Sequence, residues 1–117
     1  MSAAVEYVGD QTFVFALYNH TTQSYTETAL TQAEAPVPLR NTAEWVIEAF
    51  TYLAKFSPIN FTHCFAVING WANPINSPAW QTQAIQLTSK KSPDLRAVPS
   101  PFNETGDGFT MTWLKES

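Results

Sequence analysis

Short segments in which apolar and polar residues alternate, each closed by Gly, Pro, Asn or Asp, run through most of this chain and point to antiparallel β structure. The first pair reads Val5–Val8, a Gly9-Asp10 turn, then Gln11–Tyr18. Successive strand residues face opposite ways, so Phe13, Phe15 and Leu17 share one face, which is expected to be the core side. A polar turn over Asn19–Thr22 leads into Ser24–Leu30, where Tyr25, Glu27 and Ala29 alternate with Thr26, Thr28 and Leu30, as on a half-exposed strand. Pro36 and Pro38 then end regular pairing. Farther on, Phe61–Ile68 predicts a strongly apolar strand and 70–78, with two prolines, a loop. Trp80–Thr88 and Phe109–Leu114 predict two more strands, separated by a connection through Pro93, Pro99 and Pro101 and a Gly106-Asp107-Gly108 turn. Roughly seven short strands with long polar connections predict a sandwich rather than a barrel, although periodicity alone does not separate the two.

A chain of 117 residues fits a single domain over 1–117. The apolar fraction of 44% is enough for a packed core, while no apolar run approaches the roughly 20 residues of a membrane span, so no membrane partner is expected. The opening MSAAVEYVGDQTF has no basic start followed by an apolar stretch, and so no signal peptide is visible. Charged residues make up 14%, against about 25% in an average protein, with a net charge of -4. A surface with few carboxylate–cation pairs has few to lose when carboxylates protonate, which is compatible with an acidic working environment. Lys90-Lys91 is the only adjacent basic pair on a net-acidic chain, and no nucleic-acid partner is expected. Cys64 stands alone, which excludes an intrachain disulfide and a thiolate zinc cage, and its neighbours Phe65 and Ala66 predict a buried, inert thiol. His20 and His63 lie far apart with no helical metal-binding spacing, so neither a metal nor an organic cofactor is expected. His63 and Cys64 could pair as a nucleophilic dyad only if adjacent residues shared a face, which a strand denies them. Three N-x-T sequons begin at Asn19, Asn60 and Asn103.

The segment Asn41–Phe56 reads two ways. Asn41 with Glu44 imitates a capping box, and Trp45, Ala49 and Leu53 fall at helical spacing. Alternatively 43–49 is a strand with Glu44, Val46 and Glu48 on one face and Trp45, Ile47 and Ala49 on the other. The chemistry differs between them: on a helix the two glutamates would sit about 6 Å apart and could act as a pair, as in a glycoside hydrolase, whereas on a strand they would be roughly 13 Å apart.

The stretch Asn41-Thr42-Ala43-Glu44-Trp45-Val46-Ile47-Glu48 resembles the AEWIVE-type signature of the glutamic peptidases (eqolisins). Flanking pieces follow in the family's order: a Thr/Ser-rich strand over Thr21–Thr31, Pro58-Ile59-Asn60-Phe61 leading into an apolar strand, Pro99-Ser100-Pro101, and a closing Gly108-Phe109-Thr110-Met111-Thr112-Trp113. The resemblance implies an antiparallel β-sandwich of the concanavalin/lectin-like kind, with the signature on a strand, and 1–117 corresponding to the C-terminal portion of the domain, shortened at its N-terminus. It implies a secreted acid endopeptidase acting on polypeptides, with Glu44 as the general base on the attacking water and Glu48 and Trp45 in structural roles. The family's second catalytic residue is a glutamine on an earlier strand, whose amide would orient the water and stabilise the oxyanion. Gln11, Gln23, Gln32, Gln81, Gln83 and Gln86 are present, but none sits in a segment like that glutamine motif. The resemblance therefore leads to three expectations: a chain weakly active or inactive by itself, a homo-oligomer covering the face left by the absent strands, and, as the alternative function, a non-catalytic lectin-like binding module.

Overall fold

A computed structural model describes residues 1–33, 37, 39–49, 52–89 and 92–115, the side chain of Ser92 excepted. Among them are nine strands and no helix, all pairing antiparallel. They fall into two compact units, Met1–Asn41 and Thr42–Ser117.

The first unit is a three-stranded sheet in the order β1 (Ser2–Gly9), β2 (Thr12–Asn19), β3 (Ser24–Thr31). Asp10 and Gln11 both take positive φ, 49° and 55°, which is the backbone of a two-residue hairpin turn matched to strand twist. The register sets Val5 opposite Phe15 and Phe15 opposite Thr28, and Tyr7 opposite Phe13 and Phe13 opposite Leu30. Phe13, Phe15 and Leu17 thus share a face, as the alternation predicts. That face is not a closed core, however: Val5 is 65% exposed, Leu17 45% and Leu30 60%. Within this unit Tyr7 packs its ring 5.2 Å from that of Phe13, and the Arg40 guanidinium lies 4.1 Å from the centre of the Tyr7 ring. The strand Ser24–Thr31 is exposed along its whole length rather than half of it. The break expected at Pro36 and Pro38 falls outside the described residues.

The second unit holds a four-stranded sheet in the order β4 (Ile59–Phe61), β9 (Phe109–Trp113), β8 (Ser92–Pro99), β7 (Leu87–Ser89), and a hairpin of β5 (Phe65–Ile68) with β6 (Trp71–Pro74). Its core is small. Leu53, Ala97 and Met111 are buried, and Ile47, Ala49, Phe56, Phe61, Leu87, Phe109 and Trp113 pack against them, with the Phe61 and Phe109 rings stacked at 4.8 Å.

Three sequence expectations change here. The apolar run Phe61–Ile68 is two strands in different sheets: His63 takes φ 54°, and buried Cys64 donates its N–H to the Asp107 carbonyl while its own carbonyl accepts from Ile75. Those bonds hold the chain between the two ladders, which a count of apolar residues does not register. The loop expected over 70–78 contains β6, because Asn69 and Gly70 both take positive φ and form the tight turn of the β5–β6 hairpin. Pro74 ends that strand opposite Phe65, where its missing N–H costs least. Finally, the strand expected over Trp80–Thr88 reduces to Leu87–Ser89, and the Pro93–Pro99 connection is itself β8. Pro99 is the last residue of β8, and Pro93 falls where the β7–β8 register slips, positions that tolerate a residue without an N–H.

The turn before β9 is built from side chains. The Asn103 amide oxygen accepts the Asp107 and Gly108 N–H groups at 3.0 and 3.1 Å, and its nitrogen donates to the Asp107 carboxylate at 2.8 Å. Thr105 donates its hydroxyl to the same carboxylate oxygen. At Gly108 a β-carbon would lie 2.6 Å from the Phe61 carbonyl oxygen and 2.9 Å from the Asn103 amide nitrogen, so only glycine closes the turn onto β4.

Candidate active site

The signature residues form neither a helix nor a paired strand, so the strand expected over 43–49 is not found as part of a sheet among the described residues. Over 43–49 no helix forms, and burial alternates with a period of two: Trp45, Ile47 and Ala49 are half-buried while Glu44, Val46 and Glu48 are exposed. Ile47 and Ala49 are drawn toward Leu53, Ala97 and Met111, and this packing overrides the helical spacing. Glu44 and Val46 are thus both toward solvent, and Trp45 and Ile47 both partly covered. Without a helix, the one-turn spacing that would bring Glu44 and Glu48 together as a carboxylate pair is absent. The segment pairs with no strand of the three sheets among the described residues.

The Glu44 carboxylate makes no hydrogen bond or ion pair with any described residue; the one ion pair among them is Lys115 with Asp94, at 2.9 Å. An exposed carboxylate without a cation or donor is open to water and to a ligand. Of the glutamines within the same unit, Gln81, Gln83 and Gln86 are exposed and none bonds to Glu44. No glutamine is therefore joined to Glu44 among the described residues.

The other candidates fall away on geometry. Burial pushes the Cys64 thiol above its ordinary pKa and the nearby Asp107 carboxylate pushes it further, which disfavours the thiolate that a nucleophile needs. His63 beside it is exposed, whereas Cys64 is only 2% exposed, so the two do not share a surface. No group of three or more metal-ligating side chains forms among the described residues, and no helix there is long and apolar enough to cross a membrane.

One feature of this unit was not apparent from sequence. An open depression of about 170 Å³ is lined by Asn60, Thr62, Ser100, Asn103 and Thr110. Thr110 donates its hydroxyl to the Asn60 amide oxygen at 2.7 Å and its N–H to the Ser100 hydroxyl at 3.0 Å. The sequons at Asn60 and Asn103 and the family-like pieces over 58–61, 99–101 and 108–113 had marked these residues, but not the depression they share.

No curated protein matches the chain. Among solved structures, aspergilloglutamic peptidase from Aspergillus niger superposes with a TM-score of 0.74 over 97% of this chain and 65% of its own, at 18% identity. The chain thus spans about two thirds of the length of that peptidase and shares its antiparallel β-sandwich fold. The model of the Peptidase A4 family matches residues 1–96, a stretch that includes Glu44 and its flanking residues, and on that match the chain belongs to the Peptidase A4 family.

Proposed function

We propose that this chain carries the glutamate half of a glutamic-type acid endopeptidase site, with Glu44 as general base. The observation that carries this reading is the exposed, unpartnered carboxylate of Glu44 in a signature inside the family match. Glu44 takes a proton from water as the water oxygen attacks the scissile carbonyl carbon. The tetrahedral adduct then collapses, the C–N bond breaks, and the proton passes from Glu44 to the leaving amine. A polypeptide is the substrate class that membership in a peptidase family implies.

The reaction needs a second group to orient the water and hold the oxyanion. No glutamine bonds to Glu44 among the described residues, so this sequence alone is expected to hydrolyse peptides poorly. Removing one oxyanion donor costs about 10²–10³ in turnover in other enzymes. Full activity requires another polypeptide segment to place a glutamine amide about 3 Å from the water held by Glu44. The test is hydrolysis of a denatured protein in mild acid by the chain and by Glu44→Gln.

We further propose secretion as the route of export and self-association through β1–β3. Val5, Leu17 and Leu30 lie on one face of that sheet and remain 65%, 45% and 60% exposed, a large apolar surface for a soluble protein to leave to water. Light scattering at rising concentration is expected to detect a dimer or larger species. A compact monomer throughout would exclude this assembly.

A further inference from the structure

The three sequons sit in very different surroundings. Asn103 is exposed, but both ends of its amide are engaged: its oxygen accepts the Asp107 and Gly108 N–H groups, and its nitrogen donates to the Asp107 carboxylate. Its sequon threonine, Thr105, is held on the same carboxylate. The Asn103 nitrogen also lies where only the absence of a β-carbon at Gly108 leaves room, with 2.9 Å to the position such an atom would take. Asn60 uses its amide oxygen to bridge β4 to Thr110 on β9.

Asn19, like Asn60, differs from Asn103 in leaving its amide nitrogen unbonded among the described residues. It is the last residue of β2, and its amide oxygen accepts the N–H groups of Thr21 at 3.0 Å and Thr22 at 3.4 Å, which fixes the side chain at the β2–β3 turn. The Asn19 amide nitrogen bonds to no described residue, and His20, Thr21, Thr22 and Gln23 around it are all exposed. The oxygen that orders the turn is therefore not the atom that a glycan would occupy.

We propose that Asn19 is an N-glycan attachment site and that the fold excludes a glycan at Asn103. The co-reactant is a lipid-pyrophosphate-linked oligosaccharide. The Asn19 amide nitrogen forms a bond to the anomeric carbon, the bond from that carbon to the pyrophosphate oxygen breaks, the lipid pyrophosphate leaves, and the amide nitrogen gives up one proton to the transferase. Transfer meets the chain before it is fully folded, and folding then decides which modified chains mature. A glycan at Asn19 leaves both turn hydrogen bonds in place, whereas one at Asn103 leaves the nitrogen a single N–H for the Asp107 carboxylate and crowds Gly108.

In the protein's own host the inference depends on the secretory route proposed above. The test supplies that route, so that failure of the peptidase reading and failure of this one are distinguishable. The full chain is secreted from a eukaryotic host behind an added leader, treated with peptide N-glycosidase in heavy-oxygen water, and mapped by mass spectrometry. Heavy aspartate is expected at Asn19 and none at Asn103. Thr21→Ala should remove the mass of one glycan and leave the circular dichroism spectrum unchanged. An unlabelled Asn19 in secreted wild-type protein, or label at Asn103, would overturn the proposal.

Discussion

Substituting alanine for Gly108 should be among the most damaging single-methyl additions to the Thr42–Ser117 unit. The new β-carbon would stand 2.6 Å from the Phe61 carbonyl oxygen, 2.9 Å from the Asn103 amide nitrogen and 3.5 Å from the Thr62 α-carbon. Two of these are backbone atoms of β4 and its continuation, which cannot rotate aside as a side chain would. Overpacking of this kind costs about 1–3 kcal/mol. Relief requires Gly108 to move away from both Phe61 and Asn103, stretching the bonds from Asn103 N–H to the Gly108 carbonyl, 2.8 Å, and from Gly108 N–H to the Asn103 amide oxygen, 3.1 Å. Each such bond contributes about 0.5–1.5 kcal/mol net, so the expected loss is about 2–4 kcal/mol, or roughly 10–25 °C in Tm for a unit of this size. The four tryptophans, Trp45, Trp71, Trp80 and Trp113, all lie in this unit, so thermal unfolding followed by tryptophan fluorescence reports on it selectively. Gly70→Ala is the control: it has a φ of +80° but open space around the new atom, and backbone strain alone should cost it about 1–2 kcal/mol. The reasoning fails if Gly108→Ala lies within about 0.5 kcal/mol of wild type, or costs no more than Gly70→Ala.

Two further outcomes follow from the same turn. Hydrogen bonds from Thr105 and Asn103 hold the Asp107 carboxyl below its ordinary pKa, so it contributes stability above that ordinary value and loses it as pH falls through the lowered folded value. Urea midpoints of wild type and Asp107→Asn should therefore run parallel at neutral pH and converge as the pH drops into the acid carboxylate range; a constant gap throughout would refute this. Cys64, with its thiol buried and raised in pKa, should resist a thiol reagent in native buffer and react fully in urea, and rapid native labelling would contradict its placement.

The alternation in 2–31 was legible because these strands form hairpins with local turns, and local pairing needs no information from the rest of the chain. Legibility failed where tertiary contacts decide. The run Phe61–Ile68 divides because Cys64 is bound through its backbone to Asp107 and Ile75, partners that no window around Cys64 contains. β8 was hidden by Pro93 and Pro99, whose local signal is loop and whose positions at a register slip and a strand end only the sheet reveals. The Asn69-Gly70 turn, by contrast, was a readable hairpin signal that the nearby prolines masked. At the site, the helical spacing of Trp45, Ala49 and Leu53 was misleading: no helix forms, Ile47 and Ala49 pack toward the core in alternation with exposed Glu44, Val46 and Glu48, and the expected strand finds no partner among the described residues. The extent of exposure of β1–β3 was only partly read, since alternation gave a half-exposed Ser24–Leu30 and marks an apolar face without saying what covers it.

The central claim is that Glu44 is a general base in a site that needs a second group. The most direct measurement is the rate at which the purified chain and its Glu44→Gln variant release peptides from a denatured protein in mild acid, followed with a sensitive fluorogenic substrate. The account predicts slow cleavage, at least about 10²–10³ below a complete site, that falls to the uncatalysed background in Glu44→Gln. Equal rates in the two proteins would contradict the role of Glu44, and rapid turnover by the chain alone would contradict its dependence on a partner group.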